Sequence, residues 1–141
     1  GDITKFLDAD GVDVDILRAK VEKIKYLIGG FIECRKPIVA AINGPAIGIS
    51  FGFLGLCDVL YSTKNTFFHG PFAQLNLGPE ACSSFTFPRI FGNSLASEIL
   101  YFGKKIDIQT ALKTGFVSEL FDQEEFYDVT YKKAMQFARN Q

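Results

Sequence analysis

Glu80 is the only acid between Asp58 and Glu98, in a stretch otherwise rich in Gly, Pro, Ala, Cys and Phe. A carboxyl group in such surroundings loses hydration when it ionises. Its pKa then rises, which poises it to take up and return a proton near neutral pH. An acid in the first turn of a helix is also favoured by the helix dipole alone, a structural role. The residue types leave both readings open. A second candidate is Asn43-Gly44-Pro45-Ala46-Ile47-Gly48-Ile49-Ser50, which joins an apolar run to a Gly-rich apolar segment. Such a turn aims free backbone N–H groups at whatever lies before the helix, where an anion or a developing oxyanion fits. No Gly-Lys-Ser/Thr follows and the glycine spacing is not that of a dinucleotide fingerprint, so neither phosphate motif applies. Glycines that allow close packing in a strand–helix turn account for the same residues. Ser83-Ser84 with His69 is a weaker pairing of nucleophile and base. There is no G-x-S-x-G elbow, and a lone His beside Phe67 and Phe68 reads as structural. Cys57, Phe85, Phe87 and Phe91 read as core residues.

The elements that must position these groups follow from periodicity. Leu17, Val21, Ile24, Ile28 and Phe31 recur at helical spacing and predict an amphipathic helix over 12–33, ended by Lys36-Pro37. The apolar run 37–42 predicts a strand buried on both faces, as in a parallel sheet. A buried helix is expected over 47–56, strands over 58–62 and 66–68, and a loop over 70–79. Further helices are expected from near Glu80 to near Pro88, and from a cap at Asn93 or Ser94 through Tyr101. A short helix capped by Asp107 and closed by Gly115 should follow. A strand over 116–121 and a last helix to about Asn140, opened by an Asp122/Glu125 capping box, complete the pattern. Alternating strands and helices argue for an α/β sheet with crossover helices.

The bulk numbers set limits. The 141 residues suit one domain, 1–141, with 48% hydrophobic residues and 15 Phe to build a core. Net charge is -1 without a run of one sign, which argues against a nucleic-acid groove. Cys34, Cys57 and Cys82 stand far apart and read as reduced thiols. With one His, a multi-histidine metal site is excluded, and no metal is expected. No apolar stretch approaches the roughly 20 residues of a membrane span. The chain starts at Gly1 and has one Met, Met135, so it reads as a fragment from which a targeting signal could be lost.

Taken together, these segments resemble the crotonase, or enoyl-CoA hydratase/isomerase, superfamily. The residues that carry the resemblance are Lys36-Pro37-Ile38-Val39-Ala40-Ala41-Ile42-Asn43-Gly44-Pro45-Ala46-Ile47-Gly48 and Cys57-Asp58-Val59. They continue with Phe68-His69-Gly70-Pro71-Phe72, Ser83-Ser84-Phe85-Thr86-Phe87-Pro88, Gly103-Lys104-Lys105 and Gly115-Phe116-Val117. The segment from Pro79-Glu80 through Pro88 is similar to peroxisomal-type Δ3,Δ2-enoyl-CoA isomerases. The resemblance implies a ββα spiral core, here incomplete at both ends, that binds acyl-CoA thioesters. It needs no cofactor beyond the coenzyme A of the substrate.

It also implies roles for particular residues. Two backbone N–H groups would hold the thioester oxygen as an enolate forms. Asp2-Ile3 match a Gly-x-Asp-Ile/Leu segment and put Gly1 at one donor position. Asn43-Gly44 in register put Ile49 at the other, directly after Gly48, where relatives often have Gly. Gly1, Asp2, Ile3 and Gly48 would line the substrate. Hydratases of the superfamily use two glutamates, and those places hold Gly52 and Phe72, so hydration is not expected. The isomerases use one, and Glu80 falls on it. The expected activity is therefore the shift of a 3-enoyl-CoA double bond to the 2-trans position in the β-oxidation of unsaturated fatty acids. The resemblance further implies a homotrimer or higher assembly for the intact protein. Its compartment would be the peroxisome, with the mitochondrion as alternative. The 141-residue chain by itself is expected to be inactive or marginally stable. Two rivals remain. One is a non-catalytic binding and assembly module of the chromodomain-Y-like type. The other is a hydrolase or dienoyl isomerase of the same fold, for which this chain lacks the additional acids.

Overall fold

In the computed structural model, residues 14–139 are described, and the chain divides into two compact units between Glu33 and Cys34. The first contains helix α1 (Val14–Ile32), on which Lys25 Nζ pairs with Glu22 at 2.8 Å. This is the helix expected over 12–33; its first two expected residues lie outside the described range.

The second unit mixes strands and helices, as expected, though pairs of strands and of helices also follow one another directly. Its elements are β1 (Val39–Ile42), β2 (Ala46–Ile47), α2 (Ile49–Leu54), β3 (Val59–Thr63), β4 (Phe67–His69), α3 (Ser83–Phe91), α4 (Asn93–Phe102), β5 (Ile106–Asp107), α5 (Ile108–Lys113), β6 (Glu119–Phe121) and α6 (Phe126–Arg139). A single 3-10 turn, Ala73–Leu75, interrupts the loop expected over 70–79. One sheet is parallel, in the order β1-β3-β6, with Val39 opposite Val59 and Tyr61 opposite Glu119. A second joins β2 in parallel to β4, and β4 in antiparallel fashion to β5. The central strand, β3, is buried from Leu60 to Thr63. Among the described residues β1 is an edge strand with Ala41 exposed, which corrects the expectation that it is covered on both faces.

Aromatic rings hold α2, α3 and the sheets together. Phe51 of α2 lies 4.5 Å from Phe87, 5.5 Å from Phe68 and 5.5 Å from Phe116, centroid to centroid. Phe91 packs against Phe116 at 5.0 Å. Tilted and edge-on pairs of this kind add about 0.5–1.5 kcal/mol each beyond their buried area. Phe87 and Phe91 are thus core residues, as expected, but Phe85 is not. The residue is 58% exposed, and the Arg89 guanidinium lies over its ring at 3.4 Å.

Local chemistry moves several boundaries. Helix α3 starts at Ser83 rather than near Glu80, because Ala81 and Cys82 take left-handed backbone with φ 49° and 60°. It also runs through Pro88. The carbonyl that loses a donor there, four residues back, belongs to exposed Ser84. Helix α4 is capped by Gly92 and not by Asn93 or Ser94. Asp107 does cap α5, accepting the Thr110 N–H at 2.7 Å, and Gly115 follows with φ 75°. Asp122 does not cap α6, which starts at Phe126; its carboxylate pairs with Lys64 at 2.6 Å.

Candidate active site

The turn after β1 leads through β2 to Gly48, whose φ of 64° and ψ of -131° suit glycine alone. Gly48 N–H donates to the His69 carbonyl at 2.8 Å, which ties the turn to the end of β4. The chain then enters α2 at Ile49. As the first helical residue, Ile49 has no acceptor for its N–H within the helix. Asn43 Nδ2 holds the other side of the turn by donating to the Tyr127 hydroxyl at 2.8 Å.

One turn along α2 from Ile49, on the same face, is Gly52. A Cβ at Gly52 would lie 2.7 Å from the Glu80 carbonyl oxygen and 2.9 Å from Ala81 Cβ. The main chain of residues 80–81 therefore rests directly on α2. Gly55, a further turn along, meets α3 in the same way: a Cβ there would lie 2.6 Å from Thr86 Oγ1. The structure thus brings together the turn that ends in Ile49 and the segment that carries Glu80.

Glu80 itself is half-buried, and burial alone pushes its carboxyl pKa above the ordinary glutamate value. No hydrogen bond or ion pair among the described residues neutralises it. The Glu80 carbonyl accepts the Ser83 N–H at 3.0 Å, closing a turn ahead of α3. That turn passes through two consecutive left-handed non-glycine residues, Ala81 and Cys82, each about 1 kcal/mol or more above the helical well. The acid is thereby held outside the helix, and its charge is not used as a cap.

The two places that the resemblance matches to hydratase acids are closed. A Cβ at Gly52 would meet main chain, and Phe72 is 1% exposed within the core. The Ser–His pair does not form: His69 Nε2 bonds the Gly103 carbonyl at 3.1 Å, and Ser83 Oγ is buried without a partner. Cys57 packs against the core, where burial and then Asp58 push its thiol pKa up. No group of three or more His, Cys, Asp or Glu among the described residues could hold a metal. Among them, too, no helix is long and apolar enough to cross a membrane. Gly1, Asp2 and Ile3, expected at the other side of the site, lie outside the described residues. Three surface concavities run along α1, between residues 36–39 and α6, and over α6. Glu80 lines none of them, so the candidate site rests on the local geometry of residues 48–52 and 80–83.

Sequence reasoning missed the seat that Gly52 provides, the left-handed pair after Glu80 and the orphaned Ser83 hydroxyl. The spacing Gly52-x-x-Gly55 marks a helix face made for close approach, but it does not say what approaches.

Residues 13–141 match the family model described as enoyl-CoA hydratase/isomerase. The chain belongs to the enoyl-CoA hydratase/isomerase family. Over 138 residues it is 38% identical to enoyl-CoA delta isomerase 2 of Rattus norvegicus, covering 98% of this chain and 35% of the relative. It is 37% identical over 125 residues to a peroxisomal enoyl-CoA delta isomerase 3 of Mus musculus, covering 89% of this chain and 39% of that protein. Chromodomain Y-like protein 2 of Mus musculus is 44% identical over 100 residues, 71% of this chain and 20% of that protein. Among solved structures, an enoyl-CoA hydratase/isomerase from Pseudoalteromonas atlantica T6c superposes with a TM-score of 0.76 at 36% identity, over 79% of this chain and 44% of that one. The fold is therefore the α/β crotonase fold, present in part. The chain spans about a third of the length of the isomerases it matches.

Proposed function

We propose that the protein of which this chain is part is a Δ3,Δ2-enoyl-CoA isomerase that uses Glu80 as its single acid–base group. The observation that carries this reading is the state of Glu80. It is a half-buried carboxylate with a raised pKa and no partner among the described residues, seated on the helix that opens with Ile49.

In the proposed reaction the Glu80 carboxylate takes the proton from C2 of a 3-enoyl-CoA. The C2–H electron pair moves to form a dienolate, whose oxygen accepts hydrogen bonds from the backbone N–H groups of Ile49 and Gly1. The same carboxyl returns the proton at C4, leaving the double bond between C2 and C3. No water, metal or redox partner is consumed. Each oxyanion donor of this kind typically contributes about 2.7–4 kcal/mol to the transition state. Gly48, with Gly1, Asp2 and Ile3, would line the thioester. The substrate brings its own coenzyme A, so no separate cofactor is invoked. We further infer the peroxisome as compartment, on the likeness to an isomerase so named, with the mitochondrion as alternative, and a homotrimer or higher assembly for the intact protein.

One observation favours a second reading: the 44% identity to a chromodomain Y-like protein is compatible with a non-catalytic binding and assembly module. Assay of the intact protein on 3-enoyl-CoA and on 2-enoyl-CoA separates the two. Double-bond migration without hydration, abolished in Glu80→Gln with acyl-CoA binding kept, is the expected result. Full turnover in Glu80→Gln would remove the isomerase mechanism, and binding without turnover in the wild type would favour the module.

A further inference from the structure

We propose that Gly52 is a positioning residue for Glu80: having no side chain, it gives the main chain of residues 80–81 its seat on α2 and so fixes where the carboxylate stands. The inference rests on the reading of Glu80 as the base. A Cβ at Gly52 would meet the Glu80 carbonyl oxygen at 2.7 Å and Ala81 Cβ at 2.9 Å. Neither atom is the far end of a flexible side chain, so any substituent at 52 must displace the backbone next to the acid. That displacement has little room to dissipate. The Glu80 carbonyl is also tied to the Ser83 N–H at 3.0 Å. Ala81 and Cys82 already sit in the narrow left-handed well, where small changes in φ and ψ meet steric walls. The strain therefore passes to the direction of the Glu80 side chain.

A consequence concerns reaction choice. By the resemblance, position 52 is where a hydratase carries one of its glutamates. A carboxylate there and Glu80 in its present place exclude each other sterically. The choice between one acid and two is thus set by backbone packing as well as by side-chain identity, and Gly52→Glu should lose isomerisation without gaining hydration.

The test uses the intact protein with 3-enoyl-CoA. Gly52→Ala is expected to lower kcat about 10- to 100-fold, the scale of a small misplacement of a reacting group. KM should stay within about threefold, and the acid limb of the kcat–pH profile should move as the burial of Glu80 changes. Gly55→Ala loads the same helix face, with a Cβ 2.6 Å from Thr86 Oγ1, but leaves residues 80–81 alone. It should lower Tm while keeping kcat and the pH profile. Ala81→Gly removes one of the two clashing atoms and should restore part of the loss when combined with Gly52→Ala. The inference is overturned if Gly52→Ala keeps wild-type kcat and pH profile, or if Gly55→Ala reproduces its defects. Should Gly52→Ala not fold, the double variant is compared with Ala81→Gly alone: equal activity overturns the inference, and lower activity with a moved acid limb supports it. An inactive Glu80→Gln beside a wild-type-like Gly52→Ala sinks only the role of Gly52; a fully active Glu80→Gln sinks the assignment of the base.

Discussion

Asp107 and Glu80 are both acids just ahead of a helix, and the molecule treats them in opposite ways. Asp107 stands in extended backbone, its side chain accepts the Thr110 N–H, and those hydrogen bonds hold its pKa below the ordinary aspartate value. Glu80 is separated from α3 by two left-handed residues, bonds no backbone N–H of the described residues through its side chain, and has its pKa raised by burial. The first acid stabilises its helix with its charge. The second is kept apart from its helix, and burial makes its charge costly. An acid near a helix start is therefore not one signal but two, and the backbone between acid and helix decides which it is.

The largest expected effect on this contrast is on turnover. Glu80→Gln should lower kcat by about 10²- to 10⁴-fold, the usual contribution of a positioned acid–base group, whereas Asp107→Ala should leave kcat within about twofold of the wild type. Equal loss from both would erase the distinction. Next comes pH. In the proposed mechanism ionised Glu80 is the active form, so kcat should fall as pH drops through its raised pKa, with the acid limb above the ordinary glutamate range. Burial also makes the folded state hold this proton more tightly than the unfolded state does, so stability is lost as pH rises from the unfolded to the folded pKa. Glu80→Gln should therefore be more stable than the wild type at neutral pH, with the difference fading in acid. Asp107 works with the other sign. Its contribution is present above the unfolded pKa and is lost as pH falls through the depressed folded value. Thermal melts of both variants across pH should give slopes of opposite sign; parallel slopes would break the comparison. Third, Asp107→Ala should lower Tm by a few degrees through the lost cap. The smallest effect is expected at Ser83, whose buried hydroxyl has no partner. Ser83→Ala should be neutral or stabilising, by about 1 kcal/mol at most, read by denaturant melts. A marked loss of stability there would mean that the hydroxyl is satisfied after all.

Much of this was legible in the sequence because it is local. The alternation of elements, the Asp107 cap and the candidacy of Glu80 follow from periodicity, turn chemistry and the scarcity of acids around residue 80. What was not legible depends on partners distant in sequence. The two-residue strands β2 and β5 exist only because Phe68 pairs with both Ala46 and Ile106. Asp122 fits a capping pattern, but Lys64 claims it. Phe85 shares a helix with Phe87 and Phe91 yet faces outward, because Phe51 and Phe116 meet α3 on the other side. The start of α3 could not be read from Pro79-Glu80-Ala81-Cys82, since neither Ala nor Cys announces left-handed backbone. The role of Gly1, Asp2 and Ile3 rests on resemblance alone.

The central position of β3 also bears on how the molecule comes to exist. Its pairing with β1 joins residues about 20 apart, whereas its pairing with β6 joins residues about 58 apart. Closing the longer loop costs about 0.9 kcal/mol more chain entropy, and contacts of high sequence separation form late. Glu80 lies inside that longer loop. The geometry of the candidate site is thus expected to be among the last features to form, after β1 and β3 have zipped. Substitutions at Leu120 should accelerate unfolding more than they slow folding, and those at Val39 should do the reverse. Stopped-flow chevrons of the two would measure that order.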